Sequence, residues 1–424
     1  MEKFYYRDLM KNNKWILFLL VNVCSYQTFA QSFLKADKIL ILDSVLAIVE
    51  KNNPMLKMYD QQVEAAENFS QMTKSWMPPT FSTGPWQSQY RDFNTGMWMF
   101  TGEQMIPNPS KQKANYKYMQ GMIPVEQKGK EAKRNELFAM AKESYFSYAI
   151  LEKKLALIIE TDSTLNQIIE LAELNFKYNK EKLNKIYKAQ AELYELRNMT
   201  TMFEADIKMK IAELNTLMNR PPSTYFDVDT TISPKDFKFG MANDSTIAKS
   251  RSDILQLDAT INLLKSKQAY EKSKRLPDFG ISFSHMTPLT MMPNMFTAMG
   301  MITIPIVPWA AKEYKSSIKG ITNSINAIEL SKQAVINEAS GMIESIQINY
   351  RSGKEQVVNY ELNILPAYEK SVSSSMAAYK QNTEDLIVVL DVIKMYQMAK
   401  LDYMEKVNTL FKLQVAYEKQ LEIR

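Results

Sequence analysis

The sequence predicts a mainly α-helical protein with a small β part, and three observations carry that expectation. Stretches at roughly 110–177 and 310–380 are rich in Lys, Glu, Ala and Gln and poor in Gly, the composition of extended helix. Two further stretches step through apolar residues at intervals of three and four, the spacing of coiled-coil packing. Two segments of about 30 residues, each bracketed by prolines, alternate residue character with the period of a strand.

Composition bounds the chemistry. The 424 residues are 46% hydrophobic and 23% charged, which is enough apolar material for a large core. Eleven glycines are about 2.6% of the chain, against a usual ~7%, so loops that close backbone amides around a phosphate are missing. The single histidine, His285, and single cysteine, Cys24, exclude the usual zinc sets and His-based triads. No constellation points to an enzyme or a bound cofactor. The 52 basic and 47 acidic residues give +5, read as a small excess spread along the chain, so nucleic acid is not the expected partner.

Taken in order, residues 1–30 read as a secretory signal peptide. Lys3, Arg7, Lys11 and Lys14 precede an apolar run from Trp15 to Val21, which Val23 and Cys24 extend past Asn22. Thr28-Phe29-Ala30 places small residues three and one before Gln31, so cleavage is expected after Ala30. The run falls far short of the ~20 residues of a membrane-spanning helix. Val23 stands where a lipidated Cys24 would need a small residue, so the mature chain is expected to lack cysteine. No later stretch approaches ~20 apolar residues, which leaves strands as the only means of crossing a membrane.

The mature chain reads as two repeats. Leu56 with Pro78 and Leu255 with Pro277 have the same separation, each marking a helix that ends at a proline-containing turn. Ile186, Ala189, Leu193, Leu196, Thr200, Phe203, Ile207, Lys210 and Leu214 form one 3-4 stripe. The same register, displaced by 203, gives Val389, Val392, Tyr396, Ala399, Tyr403, Lys406, Leu410, Leu413 and Tyr417. The long helices before these stripes, about 70 residues each, would span on the order of 100 Å, with interruptions expected at Pro124 and Pro366. Turns at 178–182 and 381–385 close each half into a helical hairpin.

Between the leading helix and the hairpin, each half has room for two strands, Pro79 to Pro107 and Pro277 to Pro308. Phe279, Ile281 and Phe283 alternate with Gly280, Ser282 and Ser284, and Phe296, Ala298, Ile302, Ile304 and Ile306 alternate with Thr297, Met299, Met301 and Thr303. Trp98, Phe100 and Ile106 share a face opposite Met97, Met99, Thr101, Glu103 and Met105, with Gln104 misplaced on the apolar side. A soluble sheet has the same period. Four strands cannot close a barrel, and an open edge cannot face lipid, so several copies must share one. Two copies give eight strands and three give twelve; three is the smallest number with a useful pore. The expected organisation is a signal peptide at 1–30, leading helices at 31–78, strands at 79–109 and a long hairpin at 110–220. A linker with second leading helices at 221–276, strands at 277–309 and a second hairpin at 310–424 follow.

The ordered motifs resemble those of the TolC-like outer-membrane efflux proteins over essentially the whole mature chain. They are Leu42-Asp43-Ser44-Val45 with Asn52-Asn53-Pro54, Leu214-Asn215-Thr216-Leu217-Met218-Asn219-Arg220-Pro221-Pro222, and Arg251-Ser252-Asp253-Ile254. Leu276-Pro277-Asp278-Phe279 and Asn382-Thr383-Glu384-Asp385-Leu386, leading to Val389-Leu390-Asp391, complete the set. The resemblance implies a homotrimer: a twelve-stranded transmembrane β-barrel in the outer membrane, four strands per chain, above a periplasmic α-helical barrel of coiled-coil hairpins. It also implies a periplasmic adaptor and an inner-membrane pump as partners. The positions matching the adaptor-contacting tips are Tyr178, Asn179, Leu183, Asn382 and Leu386. Asp391 matches an acidic aperture position, Val388 occupies a neighbouring one, and Glu384 and Asp385 could supply further charge. A secreted soluble coiled-coil scaffold is the alternative.

Methionine is abundant, at 28 residues. Thioether sulfur suits Cu(I) and Ag(I) and needs no deprotonation. Met97, Met99, Met105, Met299 and Met301 fall on the faces a barrel would turn inward, while His285-Met286 and Met291 to Met295 are expected in a loop. A branch of the resembled family is associated with monovalent copper and silver export, which makes these ions the expected substrate; flexible core filling is the competing role for methionine.

Overall fold

The computed structural model describes residues 39–92, 95–237 and 244–423, so the expected signal peptide and Cys24 lie outside the described residues. Helices α1 (Leu42–Asn52) and α2 (Pro54–Met72) lead into strands β1 (Thr80–Trp86) and β2 (Met97–Ile106). Helices α3 (Pro109–Gln120), α4 (Met122–Lys177) and α5 (Leu183–Leu217) complete the first half. The second half repeats the plan with α6 (Asp244–Ser250), α7 (Ser252–Ser273), β3 (Phe279–Pro288) and β4 (Met295–Ile302). It ends with α8 (Pro308–Asn359), a π-helical turn (Tyr360–Ile364), α9 (Leu365–Lys380) and α10 (Leu386–Leu421). No helix among the described residues is long and apolar enough to cross a membrane.

Local chemistry sets the boundaries. Asn53 and Asn108 each precede a proline at the first helical position, and their side-chain oxygens accept the Met55 and Ser110 backbone N–H at 2.9 and 3.0 Å. Pro124 has no N–H for the Gln120 carbonyl, and the helix breaks beside it at Gly121. Gly121 also lets the break approach α7, since a Cβ there would lie 3.3 Å from the Leu263 side chain. Pro366 likewise leaves the Leu362 carbonyl without its donor, and the π-helical turn absorbs the fault. With 56 residues, α4 is about 84 Å long.

The halves share a backbone signature. Asn179 and Asn382 both adopt positive φ, 57° and 58°, just after the outer helices. Lys180 N–H then reaches the Asn175 carbonyl at 2.9 Å, and Thr383 N–H the Ala378 carbonyl at 3.0 Å, one capping motif built twice. Asn219 and Glu422, displaced by the same 203 residues, repeat the motif at the other ends of α5 and α10.

Packing follows the predicted stripe closely in the first half. Ile186, Ala189, Leu193, Leu196, Phe203, Ile207 and Leu214 are buried along α5. In α10 the stripe is displaced: Val392, Tyr396, Tyr403 and Leu413 are only half-buried, whereas Ile393, Gln397, Asn408, Phe411, Gln414, Val415 and Glu418 are buried. The cause is that α10 packs on α4, α8 and α9 and therefore needs a wider, partly polar face. Polar members are paired there: Lys142 and Lys235 bind the Glu418 carboxylate, and Gln414 Nε2 donates to it at 3.1 Å. The stretch before α1 is tied to the segment that joins the two halves: Leu40 bridges Val228, while Tyr145 and Tyr148 donate to the Leu40 and Phe226 carbonyls at 3.0 and 2.8 Å.

The strands form one antiparallel sheet in the order β1-β2-β3-β4, so β2 and β3 join the two halves.

Candidate functional site

The register sorts the sheet into two faces. One carries Phe81, Trp98, Phe100, Phe279, Ile281, Phe283, Phe296 and Ile302, all exposed in the single chain. On it Trp98 Nε1 donates to Thr83 Oγ1 at 2.9 Å, and Phe283 stacks on Phe296. Gln104 sits on this face too, where its amide donates to the Met77 and Met105 carbonyls at 2.9 and 2.7 Å and so is not left unpaired.

The opposite face is polar and rich in sulfur. Met97, Met99, Thr101, Glu103 and Met105 of β2 lie on it, with Met299 and Met301 of β4. Thr101 and Ser284 share a 2.8 Å hydrogen bond and are buried, as is Ser282 opposite Glu103. Met105 and Met301 meet over Gly280, where a Cβ would lie 2.6 Å from the Met105 sulfur and 3.1 Å from the Met301 methyl.

The expected loop placement of His285 and Met286 is corrected by the structure, because β3 extends to Pro288. His285 pairs with Phe100 and Phe296 on the apolar face, away from the methionines. Met286 pairs with Met99 on one side and Met295 on the other, so three methionines form one transverse row across β2, β3 and β4. Counting period from Phe279 through position 286 would have found it; the polar Ser-His-Met-Thr run concealed the strand.

The hairpin tips form the second region. Tyr178 and Leu183 are exposed, as are Asn179 and Asn382 at the two turns. Leu386 is fully buried against the hairpin core with Tyr379 and Val389, so it packs the tip in this conformation and offers no free contact. Asp385 accepts the Ile387 N–H at 2.9 Å, capping α10, and pairs with Lys185 at 2.6 Å. Lys185 and then the Ile387 amide hold the Asp385 carboxyl below the usual carboxylate range, and Asp385 raises Lys185 in return. Asp391 faces Lys188 at 3.5 Å, and Glu384 accepts its neighbour's N–H at 3.0 Å.

Lys185, Lys188, Glu181 and Lys394 were not singled out by sequence reasoning, yet they tie the two repeats together. Tyr379 OH donates to Glu181 at 3.3 Å across repeats, its phenol pushed up to about 12 by burial, and Lys394 pairs with Glu192 at 2.6 Å. Lys188 and Asp391 are equivalent positions, separated by 203 residues. Overlaying the halves places equal heights side by side, and opposite charges at equal heights were the available signal.

No protein-family model matches the sequence, and no curated protein matches it. Solved structures do match in fold. The CusC channel structure superposes with a TM-score of 0.74 at 13% identity, over 92% of this chain and 95% of that one. The Campylobacter jejuni CmeC outer-membrane channel gives 0.74 at 14% identity, over 92% and 90%. The open state of the Neisseria gonorrhoeae MtrE outer-membrane channel gives 0.71 at 12%, over 90% and 88%. This chain therefore has the fold of outer-membrane channel proteins along nearly its whole described length.

Proposed function

We propose that this chain is the outer-membrane component of a tripartite efflux system, a passive channel for substrate delivered by an inner-membrane pump and a periplasmic adaptor. The observation that carries the reading is the sheet: four strands, open at β1 and β4, with an exposed aromatic and aliphatic face. Such edges are satisfied in lipid only by further strands, so three copies closing a twelve-stranded barrel answer both features. An exposed second stripe on α5, Tyr187, Tyr194, Met202 and Met209, supports packing of further copies along the helical part. The matched channel folds support the same reading, and a soluble scaffold leaves the aromatic face unexplained. Transport needs no catalysis by this chain. Tyr178, Asn179, Leu183 and Asn382 are the proposed adaptor contacts, and Glu384, Asp385 and Asp391 the charged positions nearest the aperture.

Within that channel, the sulfur-rich face favours Cu(I) or Ag(I) as cargo, exchanged between thioethers without tight binding. The row Met99, Met286 and Met295, with Met97 beside it and Met105, Met299 and Met301 deeper, supports this substrate class. A deletion strain complemented with the parent gene should regain growth on graded copper and silver under low oxygen. Replacement of Met97, Met99, Met299 and Met301 by Leu should remove that rescue while leaving rescue on amphiphilic drugs. Drug sensitivity alone, untouched by the Leu variant, would return the methionines to packing. Absence of single-channel conductance from the reconstituted parent would refute the channel itself.

A further inference from the structure

The basic excess that looks dispersed along the sequence is collected by the fold. Helices α2 and α7 run into β1 and β3, and α3 and α8 leave from β2 and β4, so four chain segments meet the same rim of the sheet. Residues 66–78, 107–119, 265–278 and 303–319 together hold twelve basic and four acidic residues, while the rest of the chain is slightly acidic. At ~1.5 Å per helical residue these side chains lie within about 20 Å of the rim. Only Lys111 and Lys274 have acidic partners, Asp278 at 2.7 Å for the first and Glu271 at 2.9 Å with Glu313 at 3.8 Å for the second; among the described residues the other ten form no ion pair.

The lysines are arranged in stripes. Lys113 and Lys117 are four apart on α3, and Lys312, Lys315 and Lys319 are three and four apart on α8, all exposed. Before the α8 stripe, Ile304 and Ile306 lie in the connection that follows the end of β4 at Ile302, where the sequence alternation predicts further strand, and they are 60% and 67% exposed; Trp309 follows at 78%. Apolar residues, then tryptophan, then lysines is the order of hydrocarbon, interface and charged headgroup met on leaving a bilayer.

We propose that this belt binds the anionic phosphates of phospholipids in the periplasmic leaflet of the membrane that the sheet spans, an inference that rests on the channel reading. Exposed lysines without acidic partners fit phosphodiester oxygens, and the exposed tryptophan fixes the depth at which they meet them. Lipid is the favoured partner because the α8 lysines directly follow the exposed Ile302, Ile304, Ile306 and Trp309, an apolar run that a water-filled lumen would not call for.

The test uses the full chain in detergent with dioleoylphosphatidylglycerol or dioleoylphosphatidylcholine, retained lipid being counted by native mass spectrometry. The parent should prefer phosphatidylglycerol, and about 0.5 M salt should remove the preference. A variant carrying Lys113→Gln, Lys117→Gln, Lys312→Gln, Lys315→Gln and Lys319→Gln should lose about tenfold or more of it. Arginine at the same five positions keeps the charge and should restore it, which separates lost binding from lost folding. Equal retention of the two lipids by the parent, or an undiminished preference in the Gln variant, overturns the proposal. So does a Gln variant that changes the anion-to-cation permeability ratio of the reconstituted channel but keeps its lipid preference, since the lysines would then line the lumen. A parent that conducts without lipid preference overturns the belt alone; one that neither inserts nor conducts overturns the channel reading and the belt with it.

Discussion

Replacing Glu418 by Leu should be among the most damaging single changes in the helical part. The Glu418 side chain is 3% exposed and that of Lys142, its partner from α4, is 9% exposed. Lys235 reaches the other carboxylate oxygen at 3.2 Å but is 58% exposed and can turn to water when Glu418 is lost. Lys142 cannot, so the variant leaves one buried, unpaired ammonium, at a cost of about 3–5 kcal/mol per chain. In a chain this long that corresponds to at least ~3 °C in melting temperature, read by circular dichroism in detergent. Adding Lys142→Met should recover most of the loss, because two apolar side chains then fill the space of the ion pair. The pH dependence has a definite sign. Burial raises the Glu418 carboxyl, but the Lys142 hydrogen bond and charge, with Lys235, outweigh it and hold it below the ordinary value. The pair's stabilisation is therefore full above the unfolded-state carboxyl range near pH 4.5 and is lost as pH falls through the folded value. The parent should lose stability there more steeply than the double variant. A Glu418→Leu variant within about 0.5 kcal/mol of the parent, or a double variant as unstable as the single one, would refute this account.

Asn179→Ala and Asn382→Ala should each lower stability by about 1 kcal/mol, because both positions need positive φ, while Gly at either should be nearly neutral; paired melts will show whether backbone strain is the cause. Gly280→Ala should push the Met105 thioether out of its contact and broaden the thermal transition, and Met105→Ala in the same chain should relieve the overlap. Equal behaviour of the single and double variants would mean that the sheet gives way elsewhere.

Periodicity was readable wherever one face of an element is buried by one neighbour. The α5 stripe from Ile186 to Leu214 is such a case. In α10 the same arithmetic misplaced part of the buried face, because three neighbouring helices press on it and Gln397, Gln414 and Glu418 are buried only by virtue of partners distant in sequence. The sheet's faces were legible from alternation, but the ends of β3 and β4 were not: His285 and Met286 look like loop residues until the register with β2 and β4 gives them neighbours. The tip ion pairs and the basic rim were hidden for a related reason. Each joins residues from different repeats or segments, and linear charge spacing contains no term for equal height.

The 203-residue correspondence has an electrostatic consequence for the tip. Lys188 and Asp391 occupy equivalent positions with opposite sign, and so do Lys182 and Asp385. A closed ring of three chains presents six such positions at each level, alternating plus and minus, so those levels sum to zero and their fields decay within a few ångströms of the wall. Glu181 and Glu384 break the alternation, since the equivalent residues are both acidic, but Glu181 is answered within its own chain by Lys185 at 3.1 Å. In the proposed ring of three chains, Glu384, which forms no ion pair among the described residues, is therefore the carboxylate that this correspondence leaves unanswered, at the turn itself and one helical turn or more beyond Asp391.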